Sequence, residues 1–282
     1  TMSKYRTAPD HSETGWPKGV PYIIGNELCE RFSFYGMKAI LWVYLVHLYM
    51  AETGLSEKVA ENDATATNHL FIAGVYGLPM VGAILADRLI GKYHTILWLS
   101  IVYTAGHGVL SLVDLDLVPF LDDRIAGTYL GLGLIAVGAG GIKPCVSAHV
   151  GDQFGKGNWS KLQSVFQIFY FSINLGSTFA SLLIPWVKEI WGFSVAFAIP
   201  GVLMAVATVC FWMGRHVFIH VPARPGGKLG FLDAVASTVL FMTVGSLFVT
   251  NDMSIVTILT VSASCLVAGL VLFAIRQSIE PD

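Results

Sequence analysis

Glu27, Glu30 and Arg31 fall at spacings of three and four residues, with Phe34, Tyr35 and Lys38 one and two turns further on. On an α-helix those positions share one face. Two carboxylates and a guanidinium so placed can pair, exchange a proton, or release one another to bind a charged ligand. They lie in "NELCERFSFYGMKAILWVYLV", Asn26 to Val46, whose far end is apolar enough to cross a bilayer. An ionisable side chain at the centre of a membrane helix costs about 2.5 to 3.5 kcal/mol on insertion scales. Partners or a wet cavity must offset that cost, and such residues are functional by default. Lys143, in "GAGGIKPCVS", is the other charge deep within a predicted span, and His69 lies near the start of the second span. We expect Lys143 and the Glu27/Glu30/Arg31 stripe to face one central cavity. The competing reading is a purely structural ion pair that fixes helix packing.

The elements that must position these residues are membrane helices. The chain is 54% hydrophobic and 13% charged, with mean hydropathy +0.65, against about 25% charged in soluble domains. Eight stretches are long and apolar enough to span, at about 22–49, 66–86, 94–113, 126–149, 162–184, 192–213, 230–250 and 255–275. The expected fold is therefore all-α and polytopic. Short polar turns such as "DRLIGKYH", "DQFGKGNWSK" and "RHVFIHVPARPGGK" separate the spans. Lys4, Arg6, Lys18, Arg88, Lys92, Lys156, Lys161, Arg215, Arg224, Lys228 and Arg276 fall on one side of an eight-span path. Lys58, Arg124 and Lys188 fall on the other. The positive-inside rule then places the N-terminus in the cytoplasm and the protein, multi-pass, in the plasma membrane, or the inner membrane of a bacterium.

Four segments follow: a cytoplasmic stretch 1–20, six spans over 21–214, a Pro- and Gly-containing linker 215–229, and a two-span hairpin 230–282. The hairpin is nearly free of ionisable groups apart from Asp233 and reads as lipid-facing, apolar all round.

Several function classes drop out. Cys29, Cys145, Cys210 and Cys265 all sit in apolar runs, so free thiols are expected rather than a disulfide framework. The formal charge of -2 and the lack of a basic stripe argue against nucleic acid as a partner. "GAGGIKP" lacks the G-x-x-x-x-G-K-[ST] spacing of a phosphate loop, and zinc or calcium ligand spacings are missing. With no nucleophile arrangement either, we expect no enzyme, metal or cofactor. The polar head "TMSKYRTAPDHSETGWPKG" has no apolar h-region, so no cleavable signal peptide is expected. The glycines of "GLGLIAVGAGG" read as small-residue helix contacts, and the histidines other than His69 as packing or interfacial groups.

"ELCERFSFYG", Glu27 to Gly36, resembles the ExxERFxYYG signature of the proton-dependent oligopeptide transporter family, a branch of the major facilitator superfamily. "GAILADRLIGKYHTILWLSIVYTAG" (Gly82 to Gly106), "GAGGIKPCVSAHVGDQF" (Gly138 to Phe154) and "FYFSINLGS" (Phe169 to Ser177) are similar to the family's next three signatures, in order. The resemblance covers residues 20–215 and implies the N-terminal six-helix bundle of a twelve-span transporter. The hairpin resembles the two extra helices of prokaryotic members, and the chain reads as partial, its C-terminal bundle lying outside it. Phe34 departs from the family's first Tyr, losing a hydroxyl. Lys38 departs from Arg, losing the bidentate fork.

The resemblance implies proton-coupled symport of di- and tripeptides into the cell by alternating access, with peptide, protons and the bilayer as partners. The working unit would be a monomer completed by its own C-terminal bundle. Arg31 and Lys143 would hold the peptide carboxylate; Tyr35 and Tyr76 the peptide group; Asn174 the backbone or amino end; Phe34 a pocket wall, with Lys38 near. Glu30 or Glu27, Arg31 and His69 would couple protons, Glu30 and Glu27 being inseparable in one cluster. Asp87, Arg88 and Lys92 would form a latch in the loop between the second and third spans. Two alternatives stay open: transport of nitrate or another small anion by Arg31 and Lys143, and a membrane receptor or assembly subunit that moves nothing.

Overall fold

The computed structural model describes residues 5–113, 123–246 and 254–279, and among these every regular element is helical. Lys4, most of the acidic loop before Arg124 and the end of the 230–250 stretch lie outside the described residues. Helix α1 spans Val20–Thr53, with Pro21 in its first turn, where a missing N–H costs nothing. It ends at Gly54, whose left-handed φ of 67° lets its N–H reach the Met50 carbonyl at 3.2 Å.

The second span is segmented into α2 (Glu57–Gly77), α3 (Pro79–Ile84) and a π-helical turn, Leu85–Ile90. Two expectations are corrected here. Residues 57–65, read as loop, are helical: Ser56 at the N-cap position and Glu57 in the first turn suit a helix start, and the alanines that follow favour propagation. "DRLIGKYH" is not a loop either. Asp87 and Arg88 belong to the π-helix and Lys92 opens the next helix, with Gly91 alone, at φ 81°, making the turn.

Helix α4 spans Lys92–Val113 and α5 Arg124–Asp152, the latter capped by the Asp123 carboxylate, which accepts from the Ile125 and Ala126 amides at 2.9 and 3.1 Å. Helix α6, Leu162–Met213, holds the expected fifth and sixth spans as two arms broken at Gly192, where φ is 80° and ψ 178°. Both arms pack on α1, through Gly36 against Ile184 and through the Ser33 hydroxyl, which donates to the Pro200 carbonyl at 2.7 Å. Along the second arm lies α4, joined by reciprocal Ser111 and Ser194 hydrogen bonds of 3.0 and 2.9 Å. Among the described residues, seven helical segments are long and apolar enough to cross a membrane, the α6 segment counting once.

Glycines set how closely these helices approach. A Cβ on Gly82 would stand 2.4 Å from the Gly141 backbone, and one on Gly138 2.5 Å from Tyr103. The α3–α5 and α4–α5 seams are therefore backbone-close, as small-residue contacts allow. Helices α7 (Gly227–Gly245) and α8 (Ile255–Ile279) pack mainly on each other, and α7 also on α3 and the π-helix. Their surfaces are largely exposed, but the hairpin is not apolar all round. Arg276 is 4% exposed and donates to Asp233 at 2.9 Å, because a buried guanidinium needs a carboxylate partner.

Candidate functional site

Three residues of α1 carry the charge. Arg31 Nε lies 2.9 Å from Glu27 Oε1 and 2.5 Å from Glu30 Oε2. Glu27, Glu30 and Arg31 are 5%, 0% and 6% exposed, so the cluster is enclosed. Proximity is not alignment: among the described residues, neither the Arg31 Nε–H nor either Glu30 oxygen has a well-directed hydrogen bond. The pairing is held by charge at short range, and the groups keep hydrogen-bonding capacity for another partner.

Lys143, half-buried on α5, places its ammonium 5.0 Å from the Phe34 ring centre and 4.5 Å from that of Tyr76. Two aromatic faces thus hold a cation between α1 and α2. Phe34, expected as a pocket wall, is 1% exposed. Its ring meets Tyr35 edge-on at 5.4 Å and stacks on Phe71 at 6.4 Å, so it backs the site rather than lining it. The Glu27/Glu30/Arg31 stripe is enclosed within the bundle. Lys143 lies within electrostatic reach of all three, so two cations stand against two carboxylates.

The outer layer is formed by other residues. Tyr35 is half-buried, Lys38 and His69 are exposed, and Tyr76 is 64% exposed. Tyr76 and His69, seven apart, share one face of α2. Asn174, on the first arm of α6, is exposed and donates from Nδ2 to the Tyr170 carbonyl at 2.9 Å. The last three expected residues sit together at the far end of α3. Lys92 pairs with Asp152 at 3.0 Å, Arg88 lies 3.5 Å from Asp233, and the Asp87 carbonyl accepts from the Arg224 amide at 2.9 Å. They tie α4 to α5, and the π-helix to α7 and to the segment that precedes it.

Sequence reasoning passed over a further set. Ser100, Tyr103 and His107, at helical spacing on α4, are fully buried, as is Asn26 on α1. Their side-chain polar atoms have no hydrogen-bond partner among the described residues. Tyr103 lies within electrostatic reach of Glu27, Glu30 and Arg31 and stacks on His107 at 5.1 Å. The three-then-four spacing of polar residues in an apolar helix was the available signal.

With this geometry in place, the comparisons are decisive for the family. The model of the POT family matches residues 93–275. The chain belongs to the POT family. It is 39% identical over 225 residues to Solute carrier family 15 member 2 of Danio rerio, across 78% of this chain and 30% of that protein. Peptide transporter family 1 of Drosophila melanogaster is 41% identical over 228 residues, across 77% of this chain and 28% of the relative. A crystal structure of the POT family transporter PepTSo aligns with TM-score 0.72 at 39% identity, covering 95% of this chain and 55% of that one. The chain thus spans less than a third of these curated relatives and little more than half of the solved structure. It is a multi-pass membrane protein of all-helical, major facilitator type, as its motifs imply.

Proposed function

We propose that the protein to which this chain contributes is a proton-coupled symporter of di- and tripeptides, working by alternating access with its N-terminus in the cytoplasm. On this reading α1 to α6 are its N-terminal six-helix bundle over 21–214, and α7 and α8 a two-helix addition. Support comes from family membership, from relatives named as peptide transporters, and above all from one observation: a buried Arg31 shared at contact distance between the carboxylates of Glu27 and Glu30.

Such a cluster suits coupling by competition. A peptide carboxylate approaching Lys143 and Arg31 takes the cationic partners that keep Glu30, or Glu27, ionised. The released carboxyl then binds a proton more readily, and proton and peptide favour each other reciprocally. One charge crossing 100 mV contributes about 2.3 kcal/mol to accumulation. Tyr35 and Tyr76 offer hydroxyls to the peptide group, and Asn174 its amide to the backbone or amino end. Phe34 holds Lys143 in place from behind. His69, on the Tyr76 face of α2, relays or gates protons with Lys38, while the Arg88 and Lys92 ion pairs stabilise one closed end.

The test is uptake of a radiolabelled dipeptide by liposomes holding the full-length parent protein, with an inward proton gradient imposed. Gradient-dependent uptake blocked by free-ended peptides, and not by nitrate or terminally blocked peptides, is the expected result. Competition by nitrate alone would move the Arg31 and Lys143 site to anion transport, and no uptake of either would favour a non-transporting subunit.

A further inference from the structure

A cavity of about 570 Å3 lies away from the charged cluster, in the groove between α7 and the α3/π-helix segment. Met80, Ile84, Leu240 and Phe241 line its length, and Asp87, Arg88 and Ser237 gather at one end. The two walls run antiparallel, which is why the polar residues of both meet at the same end. From Met80 to Arg88 the groove rises about 12 Å at 1.5 Å per residue. Its open side is apolar surface: Met242 and Val244 on α7 are 55% and 53% exposed.

At the polar end two guanidiniums, Arg88 and Arg276, stand against two carboxylates, Asp87 and Asp233, and Arg88 is the more loosely held of the two cations. Asp233 is held at 2.9 Å by Arg276, and Arg88 reaches it only at 3.5 Å with its side chain 50% exposed. The positive-inside reading puts this end at the cytoplasmic headgroup level, where the abundant anion is a lipid phosphate. A guanidinium binds phosphate through paired, charge-assisted hydrogen bonds.

We propose that the groove is a glycerophospholipid site of the cytoplasmic leaflet: one acyl chain lies between α3 and α7, and Arg88 binds the phosphate. Ser237, which lines the same end, offers a second donor. Asp87 beside Arg88 disfavours a headgroup with a second negative charge, so zwitterionic lipids bind better than phosphatidic acid. Nothing in this inference depends on which solute is carried.

The test uses the full-length parent protein in mild detergent with a phosphatidylcholine bearing a diazirine on one acyl chain, cross-links being mapped by mass spectrometry. Cross-links should concentrate on Met80, Leu240 and Phe241 over exposed apolar residues elsewhere, such as Leu182 and Val267. Arg88→Gln should lower groove labelling roughly tenfold, and a diazirine diacylglycerol, lacking the phosphate, should label the groove no more than the rest of the surface. Because Arg88 also touches Asp233, Ala83→Phe serves as a second variant: it fills the groove with Arg88 intact and should abolish groove labelling alone. Uniform labelling indifferent to Arg88→Gln and to the phosphate would overturn the proposal. So would cross-links absent from the groove because another part of the parent protein covers it.

Discussion

Arg31 and Glu30, consecutive residues of α1, stand 2.5 Å apart, with Glu27 meeting the same nitrogen at 2.9 Å from one turn earlier. Neighbours along a helix do not ordinarily face each other, so both side chains are bent toward a common point. That point is enclosed, and Glu30 there is fully buried. Glu30→Gln keeps the volume and removes the charge that competes with a peptide carboxylate. Uphill, gradient-driven dipeptide uptake in liposomes should fall to the level without a gradient, while exchange of labelled for unlabelled peptide persists. Normal accumulation by that variant would assign the coupling proton elsewhere, with Glu27 first in line.

Lys143 is held over two rings, Phe34 at 5.0 Å and Tyr76 at 4.5 Å, so its ammonium is positioned before any ligand arrives. A charge-assisted hydrogen bond to a carboxylate is worth about 1.5 to 3 kcal/mol. Lys143→Gln should therefore raise the half-saturating peptide concentration roughly 10- to 100-fold, measured by exchange to separate binding from coupling. A peptide blocked at its carboxyl end alone offers Lys143 no carboxylate, binds weakly from the start, and should lose no further affinity. Equal losses for free and blocked peptides would mean that Lys143 only packs.

The charged stripe, the spans and the family were legible because each is written locally: helical spacing within one segment, runs of apolar residues, and contiguous motifs. The enclosure of the stripe was not. Whether Glu30 faces a cavity or the interior depends on how α1 is rotated against α5 and α6, which one helix's spacing leaves open. Tyr103 and His107 escaped for the same reason, since their polarity matters only once the neighbouring helices bury them. Phe34 looked like a pocket wall because it borders Tyr35 in sequence, yet Phe71, from α2, covers it. The hairpin's ion pair joins Asp233 to Arg276, too far apart in the chain for spacing to signal.

The seam between α3 and α5 rests on absent side chains. A Cβ on Gly82 would stand 2.4 Å from both the Cα and the carbonyl oxygen of Gly141, and backbone atoms cannot step aside as a flexible side chain can. Gly82→Val should force the helices apart at a cost of at least ~1 to 3 kcal/mol, the usual penalty for overpacking. A lower midpoint of thermal unfolding in detergent, with Gly133→Val as the control at an open position, checks this. Equal midpoints for the two variants would show that the seam is loose.

His220, in the segment between α6 and α7, links the N-terminal stretch to the bundle. Its amide donates to the Arg6 carbonyl at 2.8 Å, and its ring stacks on Tyr5 at 4.4 Å between ring centres. Burial pushes its imidazole below the ordinary 6.5, with His94 and His216 adding to the shift and the Arg215 carbonyl opposing it. The undocked segment therefore takes up a proton at a higher pH than the docked one. Docking is fully supported above the ordinary histidine value and weakens as pH falls from there toward the lowered one. Hydrogen exchange of the residue-220 amide, which donates to the Arg6 carbonyl, corrected for the intrinsic rate, should show protection declining between about pH 7.5 and 5.5. His220→Gln should flatten that decline, because glutamine keeps a polar side chain and does not titrate. The same slope in both proteins would place the pH sensitivity of this contact in another group.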